Sequence, residues 1–140
     1  MLNFLSVNFL AVLASAIVFM VVGFLWYSPV LFAKPWMALI GMTEEKMRQA
    51  SSNTSPLMYL PTFIGALVSS YILSLFIHAA QMTTLLGGLE MGFLAALGFI
   101  IPSFGSNYIF GGKPFKLYLI DAGYQVVTLT LSGAILGLWH

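Results

Sequence analysis

The residues of this chain that can carry chemistry are few, and their spacing sorts them. Asp121, Gln125, Thr128 and Ser132 follow steps of four, three and four, which puts them on one face of a helix. Ser103, Ser106 and Asn107 do the same just after Pro102, and Ser70, Ser74 and His78 are in line further back, with Thr62 and Ser69 near them. Polar groups at helical spacing inside apolar sequence have two readings. They line a polar path or binding cavity between helices, or they bond across helices and hold them together for roughly 0.6 kcal/mol each. The Ser and Thr hydroxyls fit the second reading. The first is carried by Asn107, Asp121 and Gln125, with Thr128, His78 and Glu90 as further candidates.

Catalysis is not expected. The sequence has no His-x-x-x-His, no Gly-x-Ser-x-Gly and no phosphate loop, so neither metal hydrolysis, a serine nucleophile nor nucleotide chemistry has its usual framework. Gly111-Gly-Lys-Pro114 is too short for a phosphate loop, and a proline follows its lysine. Cysteine is absent, which removes disulfides, thiolate chemistry and Cys-ligated metal. Glu90 and Asp121 fall at opposite ends of their apolar segments and cannot form one acid/base pair. Glu90, a turn into its segment, suits the positive end of a helix. Histidine is the side chain best suited to proton relay, but His78 stands alone. No cofactor and no metal site is expected, and a net charge of +1 is too small for a nucleic-acid partner.

The elements that must position these residues are membrane helices. The chain is 140 residues long, 60% hydrophobic and 6% charged, where a soluble domain carries about 25% charged residues. A spanning helix needs about 20 mostly apolar residues, and four stretches qualify, at about 2–26, 57–80, 85–110 and 115–139. None alternates as a barrel strand would, and open strands cannot face lipid. The reading is an all-α polytopic membrane protein: one domain, 1–140, of four transmembrane helices. A short surface helix is expected in the first connection, where Thr43 can cap and Glu44 and Glu45 suit a helix start. The turn Ser51–Pro56 follows it. Pro102 is expected to kink the third span. Gly88-x-x-x-Gly92 and Gly133-x-x-x-Gly137 suit close helix packing, inside the bundle or between copies.

The first span ends in Gly23-Phe-Leu-Trp-Tyr-Ser-Pro-Val-Leu-Phe-Ala-Lys-Pro-Trp36. Aromatic residues prefer the headgroup layer, and Pro29 and Pro35 disfavour helix in the residue before each. Gly23, Trp26, Tyr27, Ser28, Pro29 and Trp36 therefore read as a structural signature, an anchored membrane exit rather than a ligand site. The start of the chain lacks the basic region of a signal peptide, so an uncleaved first span is expected. Lys34, Lys46, Arg48, Lys113 and Lys116 are all the Lys and Arg present, and all lie in or beside the first and third connections. The positive-inside rule puts these loops in the cytoplasm and both termini outside.

The pattern Gly23-x-x-Trp26-Tyr-Ser-Pro29-x-Leu31-Phe32-x-x-x-Trp36-Met37 resembles the signature of the domain-of-unknown-function 1761 family of bacterial integral membrane proteins. Thr43-Glu44-Glu45, Asn107-Tyr108-x-Phe110-x-Gly112-Lys113-Pro114-x-Lys116-Leu117, Gly123-Tyr124 and the terminal Gly133-Ala-Ile-Leu-Gly-Leu-Trp139 agree with it, so the resemblance runs nearly the whole length. It departs at Asp121, where the family pattern often carries Asn. It implies a small multi-span membrane protein and assigns no reaction or ligand; the bacterial inner membrane is the expected location.

The reading that follows is a homo-oligomer in the lipid bilayer that binds or passes a small solute or ion through polar faces between helices. The alternative is a non-transporting accessory protein that packs with a partner. An acid at membrane depth is costly, so Asp121 is expected to face inward and share hydrogen bonds with Asn107 or Gln125.

Overall fold

The computed structural model describes residues 2–52 and 55–140. These residues are helical with connecting turns, and no strand occurs among them. Four helical stretches are long and apolar enough to cross a membrane: Phe9–Trp26, Pro56–Ala79, Leu85–Phe110 and Phe115–Leu138. Large apolar side chains cover their outer faces, among them Phe9, Leu10, Leu86, Phe99 and Phe110. Such continuous exposure suits acyl chains rather than water.

Helix α1 (Phe9–Trp26) begins at Phe9 rather than near Leu2, because Asn8 caps it: Asn8 Oδ1 accepts from the amides of Leu10 and Ala11. The exit after α1 is a hydrogen-bonded corner. Ser28 Oγ donates to the Leu25 carbonyl at 2.7 Å, and the Ala33 amide returns to the Ser28 carbonyl at 3.1 Å. The first connection holds two short helices rather than one, α2 (Ala33–Leu39) and α3 (Glu44–Ser52). Pro35 does not break α2, since it lies in the first turn, where amides lack intrahelical partners anyway. Thr43 Oγ1 accepts from the Lys46 amide at 3.2 Å, the cap expected from the sequence. Of the turn expected at Ser51–Pro56, Asn53 and Thr54 lie outside the described residues.

A short 3-10 turn, Pro56–Tyr59, leads into α4 (Leu60–Ala79). The third span is α5 (Leu85–Ala95), a π-helical turn at Ala96–Ile100, and α6 (Ile101–Phe110). In the π-turn the Ile101 amide reaches back five residues to the Ala96 carbonyl. That widening sits just before Pro102, which has no amide to give. Gly112 closes α6 at φ +65°, with the Lys113 amide on the Tyr108 carbonyl and the Gly112 amide on the Ile109 carbonyl, a Schellman stop that only a left-handed residue permits. Helix α7 (Phe115–Leu138) follows at once.

α7 is the axis of the bundle and packs against α1, α4 and the third span. Its seam with α5 is the tightest. A Cβ added to Gly88 would collide with the Gly133 carbonyl, and one added to Gly92 with that of Leu129. Both Gly-x-x-x-Gly patterns are thus used inside the bundle. Between α1 and α4 the contact is partly polar: Ser15 and Ser70, both fully buried, share a hydrogen bond of 2.8 Å. The core around them is Ala11, Ala16, Phe19, Leu73, Ile77 and Leu129.

Candidate functional site

The bundle opens at the end where α1 exits. There a cleft of about 620 Å³ lies between α1, α4, α6 and α7, with α2 beside it. Its walls are mainly aromatic: Phe24 and Tyr27 from the end of α1, Trp36 from α2, Tyr59 before α4, Phe104 and Tyr108 from α6, and Tyr124 from α7. Among the described residues, Asp121 is the one charged side chain lining it.

Asp121 is half-buried and held by two phenols. Tyr27 donates to Oδ1 at 2.6 Å, and Tyr108 donates to Oδ2. The carboxylate on α7 is therefore reached from two other elements, which ties the exit of α1 to the third and fourth spans. Tyr27 lies just beyond the α1 span, and its phenol is pushed above its usual range, first by burial and then by the hydrogen bond to the Asp121 carboxylate. The third tyrosine, Tyr124, donates across the bundle to the Phe19 carbonyl at 3.0 Å. Its ring meets Tyr27 edge-on at 5.6 Å, and Tyr27 meets Trp36 in the same way at 5.3 Å. Edge-to-face pairs of this kind fix ring orientation.

Two glycines and a tryptophan make this arrangement possible. Gly23 leaves room for Tyr124, whose Oη lies 3.1 Å from where a Cβ would stand. Gly123 does the same for the Trp26 ring at 3.2 Å. Trp26 in turn donates its indole N–H to the Ile120 carbonyl at 2.9 Å, clamping α1 onto α7 one residue before Asp121.

Asp121 faces inward, as expected, but its partners differ from those expected. Asn107 is exposed on the outer surface of α6, beside exposed Ser103 and Ser106. The next residue, Tyr108, turns inward and reaches the carboxylate instead. Gln125 lines the cleft one turn below Asp121. Thr128 is fully buried below the cleft and donates to the Tyr124 carbonyl in its own helix. His78 lies at the other end of the bundle, its Nδ1 2.8 Å from the Ser74 carbonyl. Glu90 is exposed on α5 and is not among the lining residues. Of the exit signature, Gly23, Tyr27 and Trp36 line the cleft, while Trp26, Ser28 and Pro29 build the corner that aims them. The stretch read as an anchor is thus also a wall of the cleft.

In the sequence, Tyr108 and Tyr124 are marked only by the family resemblance. The available signal was chemical: a phenol at membrane depth must find an acceptor, and Asp121 was the one acid within reach.

No group of three or more His, Cys, Asp or Glu that could hold a metal ion occurs among the described residues. Below the cleft, towards Thr128 and Ser132, the axis is filled by buried side chains. The arrangement is that of a pocket open at one end, with a fixed carboxylate and aromatic walls.

A family model described as a protein of unknown function, DUF1761, matches residues 10–137. No curated protein and no solved structure matches the chain.

Proposed function

The chain belongs to the DUF1761 family of proteins of unknown function, and on that premise we propose that it is a small multi-pass membrane protein that binds a solute in the aromatic cleft around Asp121. The observation that carries this reading is the carboxylate held by Tyr27 and Tyr108 at the wall of a 620 Å³ opening. Ligand pockets are typically about 300–1,000 Å³, mostly apolar, with a few fixed polar groups. Binding is favoured over free passage because the axis below the cleft is packed. The role is not catalytic: what supports this is that the one lining acid is engaged by two phenols and has no second acid beside it.

The membrane is the bacterial inner membrane in this reading, with the cleft towards the cytoplasm and both termini outside. The support is the distribution of Lys and Arg, all five in or beside the first and third connections. A second copy of the chain is the expected partner. Asn107, Ser103 and Ser106 are exposed on α6 at membrane depth, where polar groups facing acyl chains are unfavourable and readily bond across helices.

The natural absence of cysteine makes single-cysteine labelling a clean test. Thr62→Cys, at the cleft mouth, should react in intact membranes with a water-soluble maleimide added from the cytoplasmic side. Ser15→Cys, fully buried between α1 and α4, should not. An unreactive Thr62→Cys in folded protein would mean that the opening is closed to water, and the cleft reading would fall.

A further inference from the structure

We infer that the ligand of this cleft is an organic cation, an alkylated ammonium with apolar substituents; this rests on the cleft reading above and names its chemical class. The inference comes from where the protons of the walls go. The phenols of Tyr27 and Tyr108 both donate to Asp121, and that of Tyr124 donates to the Phe19 carbonyl. None of these three hydroxyls offers its proton to a ligand. These three tyrosines line the cleft with their rings and oxygen lone pairs rather than with free protons, and the lining adds one carboxylate and no Lys or Arg. Ring faces carry the negative part of the aromatic quadrupole, and the one formal charge in the lining is the negative charge of Asp121. Trp36, Tyr59, Thr62 and Gln125 supply neutral donors only.

Such a lining discriminates by charge. An anion would meet the carboxylate and the ring faces together. A cation gains the carboxylate as counter-ion and several rings at once, which is how aromatic cages recognise alkylated ammonium groups. The wall already shows this preference. Lys113, which is not among the lining residues, places its ammonium 4.8 Å from the centroid of the Tyr108 ring. A metal ion is a poor fit, since a hard cation needs several oxygen ligands and the site has one carboxylate whose two oxygens are engaged by phenols. The volume of 620 Å³ suits an organic group rather than a bare ion.

The test compares three probes of similar size on the full chain in nanodiscs, with protein-free nanodiscs subtracted. They are benzyltrimethylammonium, its neutral carbon isostere neopentylbenzene, and benzenesulfonate. Calorimetry gives the affinities, and Trp36 in the wall gives a fluorescence readout. The cation should bind about tenfold or more tightly than the neutral isostere, and the anion should not bind. Asp121→Asn should bring the cation down to the isostere's affinity while leaving the isostere unchanged. Should that variant fail to fold, Trp36→Leu, read by calorimetry, should weaken the cation more than the isostere. Glu90→Gln, outside the cleft, should change nothing. Equal binding of cation and isostere overturns the cation class but leaves the cleft standing, as does binding of the anion. An equal loss on Glu90→Gln reduces the effect to general charge attraction and also overturns it. No binding of any probe overturns the cation class, and together with an unreactive Thr62→Cys it takes the cleft reading with it.

Discussion

The two ends of this bundle are built by opposite means. At the closed end, α5 meets α7 through glycine: Gly88, Gly92, Gly133 and Gly137 bring one backbone against the other. At the open end, α1, α6 and α7 are held apart by Tyr27, Tyr108, Tyr124 and Trp36, and the space left between them is the cleft. Contact without side chains leaves no volume and no chemistry. Contact through large polar-tipped rings leaves both. A chain of 140 residues can thus spend its tightest packing at one end and hold a fixed pocket at the other.

The comparison breaks most sharply at the glycines. Gly88→Ala should cost about 3 kcal/mol, because its Cβ would meet the Gly133 carbonyl and the helices must part. Gly65→Ala in α4 is the control. Nothing lies within 4 Å of its Cβ position, so the change should be neutral or stabilise by up to about 1 kcal/mol. Thermal unfolding in detergent distinguishes them, and similar midpoints for the two variants would mean that the seam is not what holds the closed end.

A smaller effect is expected at the open end. Tyr27→Phe removes one of the two phenols on Asp121 but keeps the ring. A hydrogen bond to a charged group contributes about 1.5–3 kcal/mol, and the half-exposed site should bring this near 1 kcal/mol. Tyr27→Phe and Asp121→Asn should together cost less than the sum of the two, since the first deletes and the second weakens the same charge-assisted interaction. The change also carries a pH signature. Burial, the bond to Asp121 and the nearby Asp121, Tyr108 and Tyr124 all raise the Tyr27 phenol above its ordinary value near 10. The folded state therefore prefers the neutral phenol. Stability from this source is full below pH 10 and is lost as pH rises above it. Tyr27→Phe should flatten that alkaline decline, and an unchanged decline would detach Tyr27 from it.

The sequence carried these two ends unequally. The spans and the helical class were legible because lipid demands long apolar stretches and internally bonded backbone. The glycine seam was visible as a pattern, though not whether it would work within one chain or between two. The cleft was only half legible. Asp121 and Gln125 stand out as polar groups at depth, but the spacing points to Asn107 or Gln125 as the partner of Asp121, whereas it is Tyr108, the neighbour of Asn107, that turns inward. Depth along two adjacent helices is readable from residue counts. Rotation about each helix is not, and here it decides which of two neighbouring residues meets the carboxylate. The exit stretch concealed its second role for a related reason: aromatics at a membrane boundary are explained by the headgroup layer, so nothing local required Tyr27 and Trp36 to fold back over α7.

The smallest expected effect concerns how the helices stop at each end. At the open end α6 stops on Gly112, at φ +65°. At the closed end α4 makes the same stop without glycine: Gln81 stands at φ 57°, with the Met82 amide on the Ile77 carbonyl at 2.9 Å and the Gln81 amide on the His78 carbonyl at 3.1 Å. A left-handed conformation costs an ordinary residue roughly 1–2 kcal/mol, which glycine avoids. Against this, glycine widens the unfolded ensemble, which returns up to about 1 kcal/mol of the gain. Gln81→Gly should therefore stabilise the protein by about 0.5 kcal/mol, and Gln81→Ala, which keeps the strain, should not. The expected shift in unfolding midpoint is small but opposite in sign to that of Gly88→Ala at the same end of the bundle. A loss of stability in Gln81→Gly would show that the Gln81 side chain makes a contact worth more than the strain it imposes, and the closed end would then depend on side chains after all.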